Sequence, residues 1–207
     1  KYKDNEFVNI HVDGDYENQQ LMATTDVDSD AVELTLEAML DVSDIIPNYT
    51  VKLDLSKADL YALNLYKKDK TMLLSTKLDA QIKGTDIDKM YGDIHVYNTS
   101  LYDSRGHYVL DTLNVSLVEN YHDSKNIIVN CDFFDMDVNG VVNFRNFGNT
   151  FKNYVLTYFH INKWGDRNVK LKDNTQNFYV NLNFKNTETL SRLLMPNLTV
   201  SNNTSLT

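Results

Sequence analysis

The side chains best suited to chemistry in this chain are five histidines, one cysteine and an alternating run of carboxylates. His11, His95, His107, His122 and His160 stand far apart, and no two of them fall at a spacing that holds a metal ion. Ser100 and Ser116 lack the glycine-flanked turn that exposes a nucleophile, and no glycine-rich loop is built to cradle a phosphate. Asp26, Asp28 and Asp30 alternate, with Glu37 at the twelfth position, as in a helix-loop-helix calcium site. Position six of that loop needs glycine and here is Ala31, and the residues that follow alternate as a strand, so a solvated turn is expected. Cys131 falls in the apolar phase of a strand, which predicts a buried, unreactive thiol and excludes an internal disulfide. No catalytic residue, metal or cofactor is expected.

What remains is a pattern of strands. Val8, Ile10 and Val12 alternate with polar residues, and Val32, Leu34, Leu36, Ala38, Leu40 and Val42 do so over a run that would span about 40 Å. Further strands are expected at Val51 to Leu55, Leu73 to Ile82, Ile94 and Val96, Leu113 to Leu117, Ile127 to Phe133 and Phe178 to Phe184. Asp13-Gly14, Arg105-Gly106 and Asn139-Gly140 are the expected tight reversals, and Gly84 and Gly92 bracket a short excursion. Consecutive hairpins of this kind make a meander.

The period changes near Asn146. Phe147, Phe151, Val155 and Phe159 recur at four-residue spacing, which predicts an amphipathic helix over about 147–161, a lid for the open face of the sheet. A second short helix is predicted over about 187–195, stopped by Pro196. A soft boundary in the Asn-rich stretch divides the chain into a β unit with its capping helix, 1–161, and a linker with the start of a further β unit, 162–207.

Composition agrees with a strand-rich core. The 207 residues are 42% hydrophobic and 11% aromatic, with 2 Pro and 7 Gly against 13 Tyr and 9 Phe. The formal net charge of -9, with scattered basic residues, argues against nucleic acid as a partner. Lys67, Lys68 and Lys70 form the densest basic group and are expected to be a solvated turn. Neither a signal-peptide core nor a membrane-length apolar run is present, and the sequence reads as a piece of something longer. Sequons at Asn48, Asn98, Asn114, Asn197, Asn202 and Asn203 are as many as the Asn content would give by chance.

Several segments occur in a familiar order: ADLYALNL at Ala58 to Leu65, read as a strand, IKGTDIDKMYGDI at Ile82 to Ile94, SRGHYVLDTLNVS at Ser104 to Ser116, and the strand pair CDFFDMDVNG at Cys131 to Gly140. The amphipathic helix and NLNFKNTETLSRLLMPNL at Asn181 to Leu198 follow. From about Phe7 to Asn197 the chain resembles the repeated core of TamB proteins of Bacteroidetes-type bacteria, in the AsmA-like superfamily. The resemblance implies a mainly β fold, a long antiparallel meander curved like a taco around an apolar groove. It also implies a parent protein anchored in the inner membrane of a Gram-negative bacterium and extending through the periplasm. Its partners would be phospholipid or other acyl chains, neighbouring repeats of the same chain, and an Omp85-type outer-membrane barrel such as TamA. Its work would be phospholipid transport between the membranes and support of outer-membrane protein assembly.

On that reading the groove is lined by Val32, Leu34, Leu36, Leu40, Val51, Leu53, Leu55, Ile94, Val96, Leu113, Val115, Leu117, Val129 and Phe133, assigned by strand parity. Two alternatives stay open. The same residues would equally fill an ordinary closed core, and a surface or periplasmic β-sandwich could bind carbohydrate through Tyr61, Tyr66, Tyr97, Tyr102 and Tyr108.

Overall fold

The computed structural model describes residues 9–119, 124–145, 177–186 and 205–206. They form one antiparallel sheet in which every strand lies beside its sequence neighbours, an uninterrupted meander. The strands are β1 (Ile10–Glu17), β2 (Gln20–Asp28), β3 (Val32–Asp41), β4 (Asn48–Asp59), β5 (Leu73–Lys83), β6 (Tyr91–Asp103), β7 (Gly106–Glu119), β8 (Ser124–Cys131), β9 (Phe134–Val141), β10 (Asn177–Phe184) and a two-residue β11 (Ser205–Leu206). The sheet is open: β1 does not meet the far strands, and substantial contact runs only between neighbours. The mainly β, antiparallel meander expected from the alternation is therefore what the chain forms. The helices expected over 147–161 and 187–195, with Phe147, Phe151, Val155 and Phe159, lie outside the described residues. Among those described, helix is confined to a single 3-10 turn, Ile87–Lys89, and to the two residues Phe144 and Arg145, and no helix is long and apolar enough to cross a membrane.

Strand length follows from unbroken alternation. β7 has 14 residues, roughly 46 Å of extended chain, well beyond the usual five or six. β10 follows the segment 146–176 and adds to the same sheet, pairing with β9 from Asn177↔Val141 to Phe184↔Phe134.

Three expectations about local structure are corrected. The β1–β2 reversal is at Asn18-Gln19, both with positive φ (50° and 65°), and not at Asp13-Gly14. Gly14 and Gly140 both sit inside strands, in phase with the apolar residues around them. At Ala58 to Leu65 only the first two residues are strand: the Asp59 carboxylate accepts hydrogen bonds from the Tyr61 and Ala62 amides, and the Leu63 amide donates to the Asp59 carbonyl, coiling the chain away. Arg105-Gly106 does lie at a reversal, where the Asp103 carboxylate accepts from the Arg105 and Gly106 amides.

The loop so begun, residues 60–72, is tied to the β6–β7 turn by Asp69. Its carboxylate accepts from the Ser104 amide (2.8 Å), the Thr71 amide (2.8 Å) and the Thr71 hydroxyl (2.7 Å). Hydrogen bonds from Ser104 and then from Thr71 hold its pKa far below the usual carboxylate range. A folded-state pKa below the unfolded value of about 3.9 means the tie contributes fully above that pH and is lost as pH falls through the folded value. The Ser104 amide resonance should therefore titrate with a midpoint well below pH 3.9, and Asp69→Asn should abolish the titration; a midpoint at or above the ordinary carboxylate value would show that no such tie exists.

Candidate functional site

Cross-strand register decides which side chains share a face, because paired residues point the same way and successive ones alternate. Carried across the sheet, one row reads Leu36, Leu53, Leu78, Val96, Leu113, Cys131. The next reads Gly14, Ala23, Ala38, Val51, Ala80, Ile94, Val115, Val129, Met136, Leu182. A third reads Tyr16, Leu21, Leu40, Tyr49, Ile82, Gly92, Leu117, Ile127, Val138, Val180. All three lie on one face, roughly 43 Å across at about 4.8 Å per strand.

Irregularities in register keep this face apolar where the chain would otherwise drift out of phase. Leu55 and Ala58 are three residues apart yet both turn to the apolar side, because the β4–β5 register shifts between them. In β6 the positive φ of Asn98 (53°) does the same for Val96 and Thr99, whose hydroxyl meets that of Thr76 at 2.7 Å.

The structure places Val32, Leu34, Leu36 and Leu40 on β3, Val51, Leu53 and Leu55 on β4, Ile94 and Val96 on β6, Leu113, Val115 and Leu117 on β7 and Val129 on β8, all on this one face. Phe133 is the exception: it lies in the two-residue turn between β8 and β9 and belongs to no row. The parity reading passed over β5, where Leu78, Ala80 and Ile82 continue the rows, and the far strands, where Met136, Val138, Val180 and Leu182 do. It also passed over the small residues. Gly14, Ala23 and Ala38 make the middle row shallow over about 10 Å from β1 to β3, with Val51 filling it on β4 and Ala80 following on β5.

Burial on this face is graded. At the β8–β9 end Ile127, Val129, Val138 and Val142 form a buried cluster, with Leu113, Val115, Phe134 and Phe178 packed around it. Toward β1 the face opens to solvent: Leu21 is 45% exposed and Val12 64%. Lys125, a charged side chain on this face, is buried, and its ammonium donates to the Val142 carbonyl and lies 4.2 Å from the Phe144 ring centre. Cys131 is also buried there, its thiol donating to the Phe134 carbonyl.

The opposite face is polar. Lys77 and Asp54 form an ion pair at 2.6 Å across β4 and β5, and the Thr35 hydroxyl donates to Asp26 at 2.7 Å. Asp26, Asp28 and Glu37 of the calcium-like spacing lie on extended strands, with Asp30 in the turn between β2 and β3; among the described residues they form no ligand cluster. His95 hydrogen-bonds Asn114 and stacks on Tyr97, while His107 bonds Ser100 and stacks on Tyr102 with 3.9 Å between ring centres. A shallow cleft of about 250 Å³ opens on the β4–β6 part of the sheet, lined by Thr50, Lys52, Asp79, Gln81, Asp93 and His95 among others. His11 lies on exposed β1, and His122 and His160 fall outside the described residues.

The chain matches no family model, no curated protein and no solved structure.

Proposed function

We propose that this chain is a non-enzymatic segment of a periplasm-spanning protein of the TamB, AsmA-like kind, whose apolar sheet face carries phospholipid acyl chains between inner and outer membrane. The observation that carries this reading is the uninterrupted apolar face of an open sheet, left partly in solvent from β1 to β7. An apolar surface of that extent needs a cover, and an acyl chain needs one equally. At about 0.8 kcal/mol per methylene, a sixteen-carbon chain crossing water unprotected would lose roughly 12 kcal/mol, which a continuous apolar track largely removes. The shallow stretch Gly14, Ala23, Ala38 gives such a chain a furrow, and no catalytic group is required. In this reading the sheet curves around the furrow, the 147–161 helix is its lid, and the parent protein's membrane anchor and its Omp85-type partner lie elsewhere.

The test is a paired substitution in the first row, Leu36→Asp with Leu53→Asp. Both side chains are half-buried and directly opposite one another. The native chain should take up phospholipid from vesicles, seen as a bound species by native mass spectrometry, and the double variant should stay folded and lose at least about tenfold in uptake. A native chain that takes up none, or a folded variant that retains its lipid, would remove the proposal.

A second reading is favoured by a specific observation on the polar side. The cleft beside the His95–Tyr97 stack offers ammonium, carboxylate, amide and hydroxyl groups next to aromatic rings, as a saccharide would need. Tyr61, Tyr66, Tyr102 and Tyr108 also gather at the end of the sheet where Asp69 ties loop 60–72 to the β6–β7 turn. Hits on a glycan array without copurifying lipid would favour this carbohydrate-binding module over the conduit.

A further inference from the structure

We infer that the loop of residues 60–72, with the β6–β7 turn beside it, docks on the surface of an anionic phospholipid bilayer. The loop is held in place from within. At its start the Asp59 carboxylate accepts from the Tyr61 and Ala62 amides, across its neck the Leu60 amide donates to the Met72 carbonyl, and the Leu65 and Tyr66 amides both donate to the Leu60 carbonyl. Asp69 fastens it to Ser104 of the β6–β7 turn. This framework displays a Leu-Tyr pair followed at once by lysines: Leu65 is 67% exposed, and Tyr66, Lys67, Lys68 and Lys70 are exposed with it.

Charge here is sorted, acids inward and cations outward. Asp69 is engaged by Ser104 and Thr71, and Asp103, whose side chain is 1% exposed, by the Arg105 guanidinium and the Arg105 and Gly106 amides. Among the described residues Lys67 and Lys68 form no ion pair, while Lys70 lies 5.7 Å from the Tyr61 ring centre and Arg105 5.9 Å from that of Tyr108. An exposed acid nearby, Asp30, belongs to the β2–β3 turn, which meets the loop at its base, where the Asp59 amide donates to the Ala31 carbonyl. In a chain of formal net charge -9, an anionic surface favours approach by this end of the sheet. A bilayer supplies what each group lacks: hydrocarbon for Leu65, the headgroup layer for Tyr66 and the exposed Tyr102, and phosphates for the lysines. A soluble anion would meet the lysines and leave Leu65 in water; a neutral saccharide would meet the rings and leave the cations without a counter-charge.

The test is flotation with vesicles. The 207-residue chain should float with phosphatidylcholine and phosphatidylglycerol mixed in equal parts, stay behind with phosphatidylcholine alone, and detach as salt is raised. Lys67→Gln, Lys68→Gln and Lys70→Gln together should weaken binding at least about tenfold, since each cation near such a surface is worth roughly fivefold. Leu65→Ser, which changes no charge, should also weaken it roughly tenfold. Lys83→Gln with Lys89→Gln, two exposed lysines at the opposite end of the sheet, should leave it unchanged. All these side chains are exposed, and circular dichroism checks that each variant stays folded. No flotation with the mixed vesicles, binding indifferent to salt, or an equal loss from the Lys83 and Lys89 changes overturns the inference. So does a dependence on the lysines with none on Leu65, which would put a soluble polyanion on the loop in place of a bilayer. Docking is read on intact vesicles and lipid uptake by the apolar face as a bound species on the isolated chain, so failure here leaves the conduit reading standing.

Discussion

Gly92→Val is expected to cost at least about 3 kcal/mol of folding stability, because one substitution violates two constraints at once. The backbone at Gly92 has φ of +136°, a region that side-chain-bearing residues avoid, and a Cβ there would stand 2.1 Å from the Gln81 carbonyl oxygen and 2.9 Å from the Ile82 Cα. These are backbone atoms of the neighbouring strand and cannot rotate away. Gly92 pairs with Ile82 on one side and Leu117 on the other, so accommodating a side chain means parting β6 from β5 in the middle of the sheet. Gly14 provides the internal control, since a Cβ there would meet only the Met22 carbonyl at 3.5 Å, ordinary contact. Gly14→Ala should shift stability by less than about 1 kcal/mol in either direction. Urea denaturation of the two variants decides the matter: similar midpoints for both would mean that the close approach of β5 to Gly92 is not a constraint on the fold.

The same contrast explains why glycine misleads in the linear sequence. Asp13-Gly14 and Asn139-Gly140 carry the residue pairs of a tight hairpin, yet each glycine falls in phase with apolar neighbours: Val12, Gly14, Tyr16 in one case and Met136, Val138, Gly140 in the other. At Gly140 the reason is a close approach, since a Cβ would lie 2.2 Å from the Asn177 oxygen, and β10 crosses there. No local signal announces a partner 37 residues further on (177 − 140). The true β1–β2 reversal, Asn18-Gln19, uses an Asn and a Gln in the left-handed region, the second of which turn statistics would not select. Strand identity was legible because side chains alternate over eight to fourteen residues, and the shared face followed from parity alone. What parity could not supply was the phase across a register shift. Leu55, Ser56, Lys57, Ala58 place apolar residues three apart at the β4–β5 register shift, and Leu110, Asp111, Thr112, Leu113 do so on β7 opposite Val96 and Thr99, which flank the positive-φ Asn98. The furrow was hidden for a different reason, since alanine and glycine add little to an apolar pattern and matter only when larger rows flank them.

Val138→Asp and Leu21→Asp set the same change of chemistry on the same row of the same face, and their outcomes should differ widely. Val138 has no exposed surface and sits in the cluster with Ile127, Val129 and Val142, so its aspartate would be a buried carboxylate, and the buried cation on this face, Lys125, already gives its ammonium to the Val142 carbonyl. Losing the valine packing and desolvating a charge should cost more than about 4 kcal/mol, a large part of what holds a domain together. Leu21 is 45% exposed, and its aspartate would keep its water, at a cost below about 1 kcal/mol. Thermal unfolding followed by circular dichroism should therefore show a collapse of Tm in the first variant and little change in the second. Equal destabilisation would mean that the apolar face is sealed throughout, as in a closed core. The expected split means that one continuous row runs from structural burial at β9 to an accessible surface at β2, and only the accessible end can be lined for an acyl chain without being needed for the fold. Lipid uptake should accordingly fall in Leu21→Asp, the variant whose stability is untouched, which separates the binding work of this face from its packing work.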